Sequence, residues 1–282
     1  MIFCVFLGVG LAAEADWKAI HTEQMTVYWL PEAAATLGGA AVWALVLEPA
    51  EPRVSGEAWV PHGLDGRIEP QWSPRAATIS DFLAIPTDNY GLNVPVLATL
   101  GVGVWGGVVE KDWRAGAADS LVLVETVVTT AVISDLSKNA IARPRPYTAQ
   151  RFADAYPDVA ADPDFQEEFT EEGHFDAFKS MPSGHTSVAT AVGTSAATMI
   201  WLREREHQDR RWVGALAYGG AAALGAGTGV ARVVAGKHHP TDTMAGFALG
   251  AAVGLGVPLL HTLGGEATVS VGPGGLGVSG SW

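Results

Sequence analysis

Three short segments of this chain concentrate side chains that can hold or transfer charged groups. The first begins at Lys138 and adds Arg143 and Arg145, three cations within eight residues that directly follow an apolar stretch. Unpaired cations beside apolar chain are costly, and an anionic ligand would remove that cost. A basic helix terminus stabilised by the helix dipole is the alternative, because two prolines in the segment end any helix here.

The second segment lies directly before another apolar stretch and reads Pro182, Ser183, Gly184 and His185. Proline and serine are typical of the first residues of a helix, and a glycine lets a ligand approach the backbone closely. The free N–H groups at a helix start favour an anion, and the histidine could deliver a proton to it. Taken alone, the segment is equally an ordinary helix cap.

The third segment combines an arginine, a histidine and an aspartate: Arg232, His238 and Asp242. Pro240 suits the first turn of a helix, so His238 lies just before that helix and Asp242 can reach back towards it. A carboxylate that bonds one ring nitrogen leaves the other as a nucleophile. A metal site is disfavoured, because the chain has one cysteine and no two histidines four residues apart. A structural histidine is the remaining alternative.

The joint order and spacing of these segments resemble the superfamily of type 2 phosphatidic acid phosphatases, bacterial acid phosphatases and vanadium-dependent haloperoxidases. The motifs cover residues 138–242, a little over a third of the chain. The matching positions are Lys138 followed after six residues by Arg145 and Pro146, then Pro182 to His185, then Arg232, His238 and Asp242. Ala231 departs from the pattern, since the family usually has serine there, and Arg143 has no family role.

The resemblance implies an all-α bundle in which the three motifs converge on one phosphate. His238 is expected to attack phosphorus, Asp242 to orient it, and His185 to protonate the leaving oxygen and later activate water. No metal and no other cofactor is implied, and vanadate is expected to act as an inhibitor or phosphate mimic. The charge on the other phosphate oxygens is expected to be balanced by Lys138, Arg145, Arg232, Ser183 and the backbone N–H of Gly184.

Composition and hydropathy predict that the bundle lies in a membrane. The chain is 48% hydrophobic and only 17% charged, and its 34 glycines suit closely packed helices. We therefore expect an all-α helical bundle of the type 2 phosphatidic acid phosphatase kind, membrane-embedded with about five or six spans. Five apolar stretches approach the roughly 20 residues that cross a bilayer as a helix: 91–109, 117–134, 185–202, 213–231 and 243–260.

Charged loops predict the orientation of the bundle. The loops 110–114 and 203–211 carry Lys and Arg, and they lie on the same side if the apolar stretches alternate across the membrane. The positive-inside rule makes that side cytoplasmic, so the motifs would face the periplasm or exterior of a bacterial-type inner membrane. A soluble periplasmic protein is the alternative. The net charge of −13 disfavours nucleic acid as a partner.

The remaining chain divides by composition. An apolar start that ends in an Ala-x-Ala pattern indicates a signal peptide or an N-terminal anchor, although a basic start is missing. The stretch 154–176, with nine acidic residues and no Lys or Arg, is expected to be a solvated loop. The apolar helix expected at 33–47 is too short to span a bilayer. The predicted units are 1–15, signal or anchor; 16–90, that helix and an irregular loop over 50–90; 91–262, the phosphatase bundle; and 263–282, a Gly-rich tail.

The leading hypothesis is a phosphatase that acts on a lipid phosphate or pyrophosphate through a phosphohistidine. One alternative is a soluble periplasmic acid phosphatase of broad specificity that takes small phosphate esters. A vanadium-dependent haloperoxidase is another, because the same cradle of cations holds vanadate, but the short chain and the membrane segments disfavour it. A non-catalytic membrane protein with a degenerate fold is the last, and the intact His185, His238 and Asp242 argue against it.

Overall fold

A computed structural model gives the fold of part of the chain. It describes residues 19–21, 25–50, 63–68, 71–84, 93–108, 111–148, 176–205, 211–262, 268–272 and 275–279. The predicted signal or anchor at 1–15 lies outside the described residues. So does the acidic stretch 154–176, apart from Asp176 at its end.

Eight α-helices form most of the described chain, which confirms the predicted all-α bundle. They are α1 (Trp29–Val42), α2 (Gly63–Arg67), α3 (Pro74–Ala84), α4 (Val94–Val108), α5 (Trp113–Ile141), α6 (Gly184–Glu204), α7 (Arg211–Val234) and α8 (Pro240–His261). A π-helical turn, Trp43–Leu47, continues α1, and two 3-10 turns cover Pro146–Thr148 and Asp176–Phe178. Two short antiparallel hairpins are present: β1 (Ala19–His21) with β2 (Thr26–Tyr28), and β3 (Thr268–Gly272) with β4 (Gly275–Ser279).

Helix α6 forms the centre of the bundle, packed against α5, α7 and α8. Three glycines four residues apart on α8 allow the closest of these contacts. A Cβ added at Gly246, Gly250 or Gly254 would lie 2.3–2.6 Å from a backbone oxygen of α6 or of Ser183, which precedes it. Small residues at this spacing let two helix backbones meet. The contact sets the distance between the starts of α6 and α8, where two of the motifs lie.

The apolar core lies towards the other end of the bundle. It joins the first half of α5, the last turns of α6 and the second half of α8 with β2, through side chains such as Val122, Leu123, Met199, Leu202 and Val257. The large side chains of the bundle are therefore concentrated away from the motifs. At the motif end, buried polar side chains take their place.

Four helical segments within the described residues are long and apolar enough to cross a membrane: Trp29–Leu47, Trp113–Thr148, Arg211–Val234 and Pro240–His261. This result supports the predicted membrane localisation. The expectation that the first apolar helix is too short is wrong, because that helix begins at Trp29 and continues through the π turn to reach 19 residues. Two of the predicted spans are not among these four segments. Helix α4 has 15 residues, and α6 is rich in Ser and Thr.

The sequence predicted an irregular loop over 50–90, but part of this stretch is helical. It contains α2 and α3, and α3 packs against α6 and α7. Pro74 at the first position of α3 fits a helix start, because proline lacks only an N–H that is unpaired there anyway. Both helices place a carboxylate at the motif end of the bundle.

Candidate active site

The helix ends bring the three motifs together at one end of the bundle. Helix α5 stops at Ile141, where Ala142 adopts a left-handed conformation with φ of 49°, and this confirms the helix end predicted from the prolines. Helix α6 begins directly after Ser183, and α8 begins at Pro240, as the sequence predicted. The backbone N–H of Ser183 donates to the carbonyl of Asp242 at 3.0 Å, which ties the second motif to the third.

The first motif meets both of the others through its cations. The Lys138 ammonium lies against Gly184, since a Cβ at that glycine would be only 3.0 Å from Nζ. Nη1 of Arg145 lies 3.5 Å from Nε2 of His238. The structure therefore brings together Lys138, Arg145, Ser183, Gly184, His185, Arg232, His238 and Asp242 at one end of the fold, on the ends of α5, α6, α7 and α8.

His238 has one ring nitrogen fixed and the other directed at a cation. Its side chain is only 2% exposed, and Nδ1 lies 2.8 Å from the carbonyl oxygen of Ser180. A carbonyl can only accept, so Nδ1 carries the proton and Nε2 has the lone pair. Burial, and then the positive charges of Arg145 and Arg232, hold the pKa of His238 well below its ordinary value. The ring is therefore neutral at neutral pH.

Asp242 reaches His238 by an indirect path. The closest carboxylate oxygen is 3.9 Å from Nδ1 of His238, too far for a hydrogen bond. The Ser180 hydroxyl donates to Asp242 at 2.6 Å, while the Ser180 carbonyl accepts from His238. The direct hydrogen bond expected from the four-residue spacing is therefore replaced by a path through Ser180. The backbone N–H of His239 also donates to Asp242, at 2.8 Å.

Arg143, which has no family role, joins two buried carboxylates. Its Nη1 donates to Asp242 and its Nη2 to Asp65 of α2, both at 2.5 Å. Asp65 also accepts from the backbone and the hydroxyl of Thr241. Although burial alone would raise the pKa of Asp65, these hydrogen bonds and the Arg143 charge hold it below its ordinary value. Helix α2 is thereby anchored to the start of α8.

The three cations expected to bind phosphate each contact a carboxylate of the protein. Lys138 bonds Asp135 at 2.7 Å, Arg145 bonds Asp176 at 2.8 Å, and Arg232 bonds Asp81 at 3.1 Å. The carboxylates differ in exposure: the side chain of Asp135 is 10% exposed, that of Asp81 31% and that of Asp176 63%. The last two can therefore move into solvent more easily than the first.

Arg232 has an N–H group from which no described residue accepts a hydrogen bond. Its side chain is 6% exposed, and Nη1 also contacts the hydroxyl of Ser80 at 3.3 Å. Its Nε is buried and has no hydrogen-bond partner among the described residues. A buried guanidinium N–H without an acceptor is costly, and an anion oxygen would satisfy it.

His185 contacts Asp81, a residue that the motifs do not contain. Its Nε2 lies 2.7 Å from the Asp81 carboxylate. Burial would raise the pKa of Asp81, but the hydrogen bond from His185 and the charges of His185, Arg232 and Lys237 hold it below its ordinary value. Asp81 is therefore ionised, and it lies between the expected proton donor and one of the phosphate-binding cations.

The second motif begins α6 without using its serine as a cap. No side-chain capping bond is made by Ser183, and its hydroxyl accepts from the Thr186 hydroxyl at 3.1 Å. The proton of the Ser183 hydroxyl remains available to a ligand at the helix start. Such a hydroxyl beside the N–H groups of a first helical turn is favourable for an anion, as the sequence predicted for this segment.

The residues of the site that escaped the sequence prediction include Asp65, Asp81, Asp176 and Ser180. Ser180 lies three residues before the second motif, and Asp176 closes the acidic stretch, so their positions along the chain were a weak signal. Asp65 and Asp81 lie in a stretch that reads as irregular. No local pattern distinguishes them there from other acidic residues.

The comparison with known families agrees with this geometry. The PAP2 superfamily matches residues 119–264, just over half of the chain, and the match includes all three motifs. No curated protein and no solved structure matched the chain. The chain belongs to the PAP2 superfamily, the superfamily of type 2 phosphatidic acid phosphatases, and membership implies phosphatase activity in general.

Proposed function

We propose that the chain hydrolyses a phosphate monoester or pyrophosphate carried by a lipid, through a phosphohistidine on His238. One observation carries the proposal: Nδ1 of His238 is bonded to the Ser180 carbonyl, while Nε2 faces Arg145. A neutral imidazole held in this tautomer is a nucleophile directed at the place where cations would hold a phosphate.

In the first step Nε2 of His238 attacks phosphorus, and the bond from phosphorus to the leaving oxygen breaks. The electron pair of that bond goes to the oxygen, which takes a proton from His185. Without substrate, burial and then the Arg232 charge lower the pKa of His185 to about 3, and the negative charge of the bound phosphate is proposed to raise it so that His185 is protonated. Phosphoryl transfer relies on positioning and charge stabilisation, and Arg145 already lies 3.5 Å from Nε2. The groups proposed to hold the other phosphate oxygens are Lys138, Arg145, Arg232, the Ser183 hydroxyl and the backbone N–H of Gly184.

In the second step water attacks the phosphohistidine. His185, now neutral, accepts a proton from the water, and the bond between phosphorus and Nε2 breaks. Inorganic phosphate leaves, and His238 and the protonated His185 are restored. The three cations supply the positive charge, so we propose a hydrolase that is independent of metals and cofactors and is inhibited by vanadate as a phosphate mimic.

Substrate binding is proposed to displace two carboxylates from the site. Asp81 and Asp176 bond Arg232 and Arg145, the same groups that would bind phosphate. A phosphate dianion beside these carboxylates would be repelled, so Asp176 must leave Arg145 and Asp81 must leave Arg232 when it binds, while Asp81 keeps its bond to His185. Their partial exposure allows this movement, and the buried, unpartnered Nε of Arg232 already favours an anion.

The proposed location is a bacterial-type inner membrane with the site facing the periplasm or exterior. The motifs lie at the C-terminal ends of α5 and α7 and the N-terminal ends of α6 and α8. Lys111 and Arg114 lie at the other end of α5, and Arg203 and Arg205 at the other end of α6. The positive-inside rule favours that side as cytoplasmic. A soluble periplasmic phosphatase would place the same residues in the same geometry.

The test is a substrate panel with purified protein in detergent, which compares lipid phosphates with p-nitrophenyl phosphate, with and without vanadate. We expect hydrolysis without added metal in the presence of a chelator, inhibition by vanadate, and an acid-labile phosphoenzyme after rapid quenching. Turnover with no phosphoenzyme on His238 would contradict the mechanism. Complete recovery of active protein in a detergent-free soluble fraction would contradict the membrane location.

A further inference from the structure

A groove between α7 and α8 begins beside the active site. Its volume is about 610 Å³, within the usual range of small-molecule sites. At one end it is lined by Thr186, the residue after His185, and by Pro240, two residues after His238. The other end reaches Gly225 and Phe247. The groove therefore starts at the level of the phosphate-binding residues and runs along the helices.

The lining of the groove is apolar. Among the described residues that line it, none has an ionisable side chain, and only Thr186 and Thr243 carry hydroxyls. Both hydroxyls already donate within the protein, to the Ser183 hydroxyl and the Pro240 carbonyl. A polar occupant would lose its hydrogen bonds to water without gaining replacements, so the groove favours a hydrocarbon.

The depth of the groove corresponds to one leaflet of a bilayer. Its lining residues on α7 run from Gly225 to Val234, a rise of nine residue steps, and those on α8 run from Pro240 to Phe247, a rise of seven. At 1.5 Å per residue these are about 14 Å and about 10 Å. Half of a hydrocarbon core of about 30 Å is about 15 Å. The groove thus extends from the active-site end towards the middle of a membrane.

The groove also opens sideways. Val230 on α7 and Met244 on α8 line it and are 64% and 62% exposed. The helices α7 and α8 that carry them are two of the four segments that are apolar enough to span a membrane. A chain from the surrounding lipid can therefore enter between the two helices without leaving its leaflet.

We propose that this groove holds a hydrocarbon chain of the substrate while the cations hold its phosphate. The inference rests on the proposed phosphatase function and narrows it: the substrate is an amphipathic phosphate ester whose chain descends from the phosphate into the same leaflet. Charge and apolar surface are complementary to the two halves of such a molecule, and they are adjacent in the fold. A small soluble ester would contact the cations but not the groove.

The test fills the groove and measures selectivity. Val230→Trp and Met244→Trp each add a large side chain to one wall of the groove. The matched control is Leu216→Trp, since Leu216 is an equally exposed residue of α7, at 66%, that does not line the groove. For each protein, kcat/KM is measured for decyl phosphate and for p-nitrophenyl phosphate in the same detergent micelles.

We expect both groove variants to lower the ratio of the two kcat/KM values about tenfold or more, because each methylene that loses its buried position weakens binding several-fold. Leu216→Trp should keep the wild-type ratio. An unchanged ratio in both groove variants, or an equal fall in the control, would overturn the chain site. Wild-type protein that hydrolyses p-nitrophenyl phosphate without any preference for decyl over butyl phosphate would also overturn it. If wild type hydrolyses none of these esters, the proposed phosphatase function itself is wrong.

Discussion

Two buried histidines lie at opposite ends of α8, in surroundings that differ. His238 directly precedes the first turn, and His261 is the last residue of the helix, about 33 Å away for 22 residues. At His238 one nitrogen bonds a carbonyl and the other faces a guanidinium. At His261 Nε2 lies 2.9 Å from the Glu125 carboxylate, and Nδ1 bonds the Thr26 carbonyl at 3.3 Å, with Glu32 3.6 Å away.

The difference shows that burial does not by itself make a histidine reactive. The two side chains are 2% and 4% exposed, so burial does not distinguish them. His261 has an acceptor on each side of its ring, the Thr26 carbonyl and the Glu125 carboxylate, so both nitrogens are engaged and no lone pair is free to attack. His238 faces cations instead and keeps a lone pair on Nε2. We therefore propose that the histidine at the first end of α8 takes part in chemistry and that the one at the second end stabilises the structure.

The largest expected effect tests the reactive end. His238→Ala should lower kcat by about 10⁴-fold or more, as loss of a nucleophile does in other covalent enzymes, and should abolish the acid-labile phosphoenzyme. Rapid-quench labelling with a radioactive substrate measures both. Phosphoenzyme that persists in this variant would mean that another residue is the nucleophile.

The corresponding change at the structural end should affect stability instead. His261→Ala leaves two buried carboxylates without the charge between them, and breaking such a cluster costs about 3–5 kcal/mol. We expect a lower unfolding free energy in detergent with kcat of the folded protein near that of wild type. The double variant Glu125→Gln, His261→Gln removes both charges and should recover part of the loss. A fall in kcat without a fall in stability would reverse the assignment.

Arg145 should matter for turnover because it faces the reactive nitrogen. Arg145→Ala is expected to lower kcat by about 10²–10³-fold, the usual cost of one preorganised donor to a transition state. Arg145→Lys keeps the charge but not the planar geometry, so its kcat should lie between those of wild type and Arg145→Ala. A rate like that of wild type in the alanine variant would remove Arg145 from the phosphate-binding residues.

A smaller effect tests the path from Asp242 to His238. Ser180→Ala removes the hydroxyl that donates to Asp242 and keeps the carbonyl that accepts from His238. Loss of one hydrogen bond to a charged group, about 1.5 kcal/mol, corresponds to about a tenfold fall in kcat. In the Asp242→Asn background the same change should add little, because both act on one path. Additive effects would show that Asp242 acts independently of Ser180.

The smallest expected effect is a shift in pH dependence. Asp81→Asn removes an ionised carboxylate that favours the protonated form of His185. Activity lost when His185 gives up its proton should then be lost at a pH about one unit lower. The pH profile of kcat with p-nitrophenyl phosphate measures this. A profile that keeps its alkaline limb in place would exclude Asp81 as a positioning residue for His185.

The helix ends of the bundle could be predicted from local sequence. Two prolines end α5, Pro240 begins α8 and Ser183 precedes α6, because proline and small polar residues restrict the backbone within one turn. The extents of the first helices could be predicted less accurately than these helix ends. Helix α1 extends beyond its apolar stretch, and α2 and α3 form in a polar stretch where helix packing decides more than propensity does.

The sequence alone determined the motif residues, their order and the helix ends that carry them. These features depend on spacing within a few helical turns. Only the tertiary structure decided which carboxylate meets which cation. Asp81 lies 104 residues from His185 and 151 from Arg232, and Asp65 lies 78 from Arg143. No local pattern specifies contacts at such separations, because they depend on how α2 and α3 dock on the bundle. Tertiary packing likewise placed the Ser180 carbonyl, rather than the expected carboxylate, on Nδ1 of His238.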